Sequence, residues 1–262
     1  MSLTQEQIVE LAQYLENAEL EASEVTKITD QYPDMDLDDA YNVQYEIRRR
    51  KEARGTRIIG MKMGLTSRAK MDQMGVDTPI YGFLADYFER PESGEIVTSE
   101  LIHPKVEAEI AFVTKSVLRG PGCNAAQVIA ATDFIMPAVE VIDSRYENFR
   151  FDLLSVIADN ASSSRFFTGG QVLSPLNTDL RTIGVVLEKN GQVMEVGASA
   201  AVLGNPATAI AMLANQLAER GEEIPAGSII LSGAITAAIA VQAGDNVTMR
   251  AHGMGSVSMQ FV

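Results

Sequence analysis

The 262-residue chain holds one cysteine, no tryptophan and two histidines, and each scarcity removes a class of chemistry. A single thiol, Cys123, can neither close an intramolecular disulfide nor build a cysteine-ligated cluster, so a reducing cytoplasm is the expected compartment. Its PGCNAA context offers no helper for thiol chemistry, and Cys123 reads as a structural or surface residue. His103 and His252 stand far apart in no metal-ligand spacing, which leaves His103 at most a supporting place behind a neighbouring acid. Cations are scarce as well: 21 Lys+Arg against 35 Asp+Glu give a formal net charge of -14, which repels nucleic acid and anionic membrane. No apolar run approaches a membrane span, and the N-terminal stretch lacks the cationic start and apolar core of a signal peptide. With no G-x-G-x-x-G opening a helix, no P-loop and no G-x-S-x-G elbow, nucleotide cofactors and serine hydrolysis lose their usual support.

What is present sorts into a helical start and a strand-rich body. Thr4 and Gln7 form a capping box ahead of Ile8, Leu11 and Leu15, predicting a helix over about 5–20. Ala40, Val43 and Ile47 predict a second over 37–54, ending in RRRKEAR and Gly55, where the cations complement the helix dipole and snorkel over neighbours. Residues 1–55 are too few for a core of their own and are expected to pack on the body, 56–262. That body opens on the strand RIIGMKMGL, and Ser67 is expected to cap a short helix through Met74. A hairpin turns at Asn190-Gly191, and a helix capped by Asn205 with Pro206 at its first position runs to Gly221. The last 35 residues read as about three strands, with GMGSV as a packing or bulge feature inside one. The pattern as a whole predicts an α+β domain.

The chemistry concentrates in KVEAEIAFV. In a strand the side chains of Glu107 and Glu109 share one face, and Val106, Ala108, Ile110 and Phe112 take the other. PAVEVID places Glu140 in another apolar run, reached through a strand, a helix and a strand. Taken alone, the ExE pair also fits a solvent-facing edge strand; Glu140 among apolar neighbours argues for burial. Buried carboxylates need a partner, and three together suit a hard divalent cation, Mg²⁺ or Mn²⁺, with positions left open for a chelating 2-oxo acid. Lys62, between Met61 and Met63, is either an edge residue that snorkels or an ammonium in a half-buried pocket. In the polar stretch 141–170, Asp143, Arg145, Asp159, Asn160 and Ser162 are candidates to satisfy one another or a ligand.

The segments KMGLTS (62–67), GVDTPIYGFL (75–84), LIHPKVEAEIAFV (101–113), PAVEVIDSRYENF (137–149) and IADNASS (157–163) resemble the hydratase/decarboxylase branch of the fumarylacetoacetate hydrolase-like superfamily. The resemblance implies a mixed β-roll catalytic domain with Mg²⁺, or Mn²⁺, held by Glu107, Glu109 and Glu140. It implies that Lys62 is the active-site lysine, and that Leu65, Ser162, Ile235 and Thr236 lie where such enzymes bind substrate. The implied reaction is metal-dependent decarboxylation of 2-oxo-3-hexenedioate to 2-hydroxypenta-2,4-dienoate and CO₂, in meta-cleavage catabolism of aromatic compounds. The branch also contains dienoate hydratases, which often carry an aspartate where this chain reads Pro79-Ile80-Tyr81-Gly82; adding water needs an activating group and losing CO₂ does not. A non-catalytic scaffold on the same fold is the reading of another class. Association with the pathway's dienoate hydratase and homo-oligomerisation are implied as well.

Overall fold

The structure, a computed structural model, describes residues 2–68, 71–72 and 75–262. The helix expected from Ser67 through Met74 lies in part outside the described residues, at positions 69, 70, 73 and 74; the Met71 N–H donates to the Ser67 carbonyl at 3.0 Å. Helix α1 (Gln5–Leu20) starts from the Thr4/Gln7 capping box, a short α2 (Ile28–Gln31) follows, and α3 (Leu37–Ala53) starts from a second box of Asp36 and Asp39. The cationic end of α3 does more than face solvent. Arg50 and Arg54 bind the buried Glu16 of α1, and Lys51, itself fully buried, lies 2.8 Å from Glu19 and 2.6 Å from the Tyr87 hydroxyl.

Two sheets follow. The first runs in the order β2-β1-β10-β5-β6-β7-β3, with β11 added beside β5: β1 (Ile58–Gly64), β2 (Ile80–Ala85), β3 (Glu89–Arg90), β5 (Lys105–Thr114), β6 (Thr132–Ile142), β7 (Ser163–Thr168), β10 (Ile229–Leu231) and β11 (Ile239–Ala240). It is mixed, because β1 and β10 are parallel whereas β5 pairs antiparallel with both β10 and β6. The second has the order β4-β13-β12-β8-β9, built from β4 (Glu95–Ile96), β8 (Gly184–Lys189), β9 (Gln192–Ala198), β12 (Asn246–Ala251) and β13 (Gly255–Phe261). Helices α4 (Ala125–Ala131), α5 (Leu153–Ala158) and α6 (Pro206–Glu219) complete the set of longer elements, giving the α+β architecture expected. Residues 228–262 form four strands, not three. The GMGSV segment spans the turn between β12 and β13 and the start of β13: Gly253, at φ 74°, lies in the turn, and Gly255, at φ 75°, opens the strand.

Strand alternation gives the first sheet two unlike faces. Val106, Ala108, Ile110, Val139 and Val141 join one large core with Met249 and Val257 of the second sheet and with Leu11, Val43 and Ile47 of the helices. The opposite face encloses a small core of Leu84, Phe88, Ala111, Ala138, Phe166 and Leu231. Along β5 this inner face changes from apolar to charged within a few residues, from Ala111 through Glu109 and Glu107 to Lys105.

Candidate active site

The β5–β6 register sets Glu107 directly opposite Glu140 and Glu109 opposite Ala138, so all three carboxylates stand on the inner face. Each is buried, and one oxygen from each lies within 4.8 Å of the others. In the neighbouring register Lys62 pairs with Leu231 and Gly82, which brings its side chain onto the same face. The Lys62 ammonium lies 3.0 Å from Oε2 of Glu140 and donates to the Ala161 carbonyl at 3.0 Å. The two readings left open for Lys62 therefore resolve: it is a buried ammonium facing the acids, not an edge residue.

Among the described residues Lys62 is the ammonium seen to pair with this cluster, through Glu140. Burial and the neighbouring Glu140 push Glu109 well above the ordinary carboxylate range, and burial also raises Glu140 against the pull of Lys62. Burial alone would lower the Lys62 ammonium, but Glu140, Glu109 and Glu107 reverse that and raise it. Among the described residues Oε1 of Glu109 and Oε1 of Glu140 have no hydrogen-bond donor, and Oε2 of Glu140 meets the Lys62 charge without hydrogen-bond alignment. Oε2 of Glu109 is held by the Gly233 N–H at 2.7 Å. Buried carboxylate oxygens left bare are costly, and an all-oxygen set of three suits Mg²⁺ or Mn²⁺. The donor set fits such an ion.

The turn behind Lys62 is unusual backbone. Asn160, Ala161 and Ser162 all have left-handed φ, 51°, 50° and 56°, in a run without glycine. Such a run persists only where its surroundings hold it. Asn160 clamps it to β2, its side chain accepting from the Phe83 N–H at 2.8 Å and donating to the Phe83 carbonyl at 3.1 Å. A Cβ at Gly82 would come within 2.7 Å of two Asn160 oxygens, which is why glycine stands there. The buried Arg145 braces the turn from the other side, with an ion pair to Asp159 and donation at 2.9 Å each to the carbonyls of Asp143 and Ser163. Burial pushes Asp159 up to about 7 even though Arg145 opposes it.

The remaining expected residues take defined places. Ile235 and Thr236 dock on β5 between the two acids of the ExE pair: the Ile235 N–H donates to the Ala108 carbonyl, and the Thr236 hydroxyl accepts from the Ala108 N–H at 3.2 Å. Leu65 follows β1 with φ 55° and is partly buried. Ser162 is buried, but its hydroxyl is 3.4 Å from Asp159, and the group of this turn that touches Lys62 is the Ala161 carbonyl. His103 faces Glu24 at 2.9 Å. A backbone carbonyl carries no residue-type signal, so Ala161 was not readable; Asn160 was singled out with its loop, but its clamp on β2 needed the fold.

The profile of the fumarylacetoacetate (FAA) hydrolase C-terminal family matches residues 82–262. The chain is 64% identical over 261 residues to the 4-oxalocrotonate decarboxylase of Pseudomonas sp. (strain CF600), covering 100% of this chain and 99% of that one. It is 40% identical over 243 residues to the 2-hydroxyhexa-2,4-dienoate hydratase of Comamonas testosteroni, with 92% of each covered. The solved structure of the 4-oxalocrotonate decarboxylase from Pseudomonas putida G7, complexed with magnesium and adipate, superimposes with a TM-score of 0.98 at 63% identity over 99% of both chains. On the matched profile, the full-length identities and the shared fold, this chain belongs to the fumarylacetoacetate hydrolase family.

Proposed function

We propose that the chain is a Mg²⁺-dependent carboxy-lyase, a 4-oxalocrotonate decarboxylase that converts 2-oxo-3-hexenedioate to 2-hydroxypenta-2,4-dienoate and CO₂. Its identity to decarboxylases at 64% against 40% for a hydratase supports that choice. The observation that carries it is the inner face itself, where three carboxylates and one ammonium stand beside a β2 wall of Ile80, Gly82 and Leu84 that bears no ionisable group. Hydration needs a group there to activate water; loss of CO₂ does not.

Glu107, Glu109 and Glu140 would hold the ion. The ion, when bound, supplies Lewis acidity toward a 2-oxo acid that chelates through its keto oxygen and adjacent carboxylate. Lys62, fixed by Glu140 and the Ala161 carbonyl, places positive charge next to the site where negative charge develops as CO₂ leaves. Thr236 keeps its own hydroxyl proton free for substrate, because its oxygen is the acceptor in the bond to Ala108. The apolar patch of Leu84, Ala111 and Phe166 favours departure of a neutral product. Phe83, in contrast, lies on the outer face and takes no part in that patch. Leu65 and Ser162 belong to this proposal as substrate neighbours, with support from the resemblance alone. Homo-oligomerisation, hand-over of the unstable dienol to a dienoate hydratase and a cytoplasmic setting are proposals on the same footing.

Purified protein with Mg²⁺ and 2-oxo-3-hexenedioate should release CO₂. Hydration of 2-hydroxypenta-2,4-dienoate without CO₂ release would make it a hydratase instead, and inactivity toward both would favour the scaffold.

A further inference from the structure

The segment 232–236, which leaves β10, is strapped to β5 beside the acids. The Ser232 N–H donates to the Ile110 carbonyl at 3.2 Å, the Ile235 N–H donates to the Ala108 carbonyl at 2.9 Å, and the Thr236 hydroxyl accepts from the Ala108 N–H. Between these backbone anchors the Gly233 N–H takes a side chain instead, donating to Oε2 of Glu109 at 2.7 Å. The other oxygen of that carboxylate, Oε1, is buried and has no donor among the described residues. One carboxylate thus has two unlike oxygens, one held and one bare.

Only glycine allows this contact. Its φ is 111°, a conformation that side chains disfavour, and an added Cβ would come within 2.2 Å of Oγ1 and 2.5 Å of Cγ2 of Thr66. Thr66 is itself buried, and its carbonyl accepts from the Leu203 N–H at 3.0 Å, so it resists moving aside. The strap is fixed by β5 and by Thr66 before any ion arrives.

Resting on the metal-site reading above, we propose that Gly233 is a positioning residue for the ion: its N–H reserves Oε2 of Glu109, so that this ligand offers one oxygen and the site favours a small octahedral cation over Ca²⁺. A charge-assisted bond to a carboxylate is among the stronger hydrogen bonds, and Oε2 has to give it up to serve as a second ligand atom. Mg²⁺ asks for about six ligands in near-ideal octahedral geometry, which one oxygen per carboxylate satisfies together with water and substrate. Ca²⁺ takes about six to eight oxygens and often gathers them by two-oxygen binding of a carboxylate. Glu140 is restrained in the same direction, since its Oε2 faces the Lys62 ammonium at 3.0 Å while Oε1 has no donor. Carboxylates as such accept either ion; the contacts behind them are what discriminate.

The test titrates metal-stripped protein with Mg²⁺ and, separately, with Ca²⁺ in a calorimeter. Gly233→Ala displaces the N–H and should weaken Mg²⁺ binding by at least tenfold, the usual cost of removing a group that orients a ligand. Ca²⁺ should lose much less, because Oε2 becomes available to it, so the ratio of the two affinities should fall by roughly tenfold. Equal weakening of both ions would mean that Gly233 only supports the fold, and an unchanged ratio with unchanged affinities would mean that its N–H is irrelevant to the ion; either overturns the proposal. Infrared spectra of the unaltered protein cover the case in which Gly233→Ala does not fold. The carboxylate bands of Glu109, identified as those that Glu109→Gln removes, should report one-oxygen binding with either ion, and a two-oxygen signature overturns the proposal. If the unaltered protein took up neither ion, the metal-site reading itself would fall and take the role of Gly233 with it, a result distinct from a ratio that fails to move.

Discussion

The ammonium of Lys62 is held at 3.0 Å from Glu140 and at 3.0 Å from the Ala161 carbonyl, on a side chain that is 3% exposed. The lysine therefore serves two states of one site. Without a divalent cation it is a counter-charge to buried Glu140; with one bound, more of its positive charge is left to act on a substrate. The stability of the protein and its metal affinity are thereby linked through one residue.

The first consequence concerns that lysine. Lys62→Met should destabilise the metal-free protein by about 3–5 kcal/mol, because it strips the counter-charge from buried Glu140. Saturating Mg²⁺ should recover much of this. Denaturant unfolding in EDTA and in Mg²⁺ checks it: equal losses under both conditions would mean that the ion and the lysine do not share the carboxylates.

The ligands give a second prediction. Glu107→Gln, Glu109→Gln and Glu140→Gln should each weaken Mg²⁺ binding by on the order of 100-fold, the upper end of what even an outer partner of a ligand costs. Each should also abolish decarboxylation at micromolar metal. In EDTA the Glu109→Gln protein should be no less stable than the unaltered one, because burial already disfavours the ionised form of Glu109. Calorimetric titration with Mg²⁺ reads the affinity; a variant that bound the ion as before would remove that residue from the set.

A third concerns the left-handed turn. Asn160→Ala loses both bonds to Phe83 and leaves alanine in a conformation it disfavours, a cost of about 2–4 kcal/mol. The released Ala161 carbonyl should no longer hold Lys62, so turnover should fall more than Mg²⁺ affinity does. Gly82→Ala should reproduce the effect from the opposite side, by forcing its Cβ against the same Asn160 oxygens. Turnover and metal affinity lost in equal measure would show that the turn supports the fold without positioning the lysine.

How far these features were readable depends on the range of the interaction that makes them. The capping box at Thr4, the hairpin at Asn190-Gly191 and the shared face of Glu107 and Glu109 depend on neighbours within a few residues, and the structure carries them as expected. Glu140 could be assigned to an apolar strand but not to its place opposite Glu107, which is a matter of register between distant segments. The Ala161 carbonyl is invisible in a sequence because every residue has one. The cations at the end of α3 had a sufficient local account in the helix dipole, and that account concealed their tertiary partners.

Those partners carry a pH prediction. Burial raises Glu16 and Glu19, but Arg54 and Arg50 for Glu16, and Lys51 for both, outweigh it and leave each carboxyl below its ordinary value. Burial pulls the Lys51 ammonium down while Glu19 and Glu16 pull it back, yet in acid it is charged in any case, so the carboxylates set the pH dependence. A carboxyl whose folded value is depressed contributes stability that is fully present above its unfolded value, about 4.3 for glutamate. That contribution is lost as pH falls through the folded value. Below about pH 4 the contact between α1 and α3 should therefore weaken first, leaving the buried Lys51 and the two arginines without counter-charges. Amide exchange in α1 should accelerate while β5 and β6 stay protected, and Glu19→Gln should move the onset to higher pH. Exchange that rises in α1 and β5 together, at one pH and by one factor, would mean that the helices are not released separately and that the network adds nothing local.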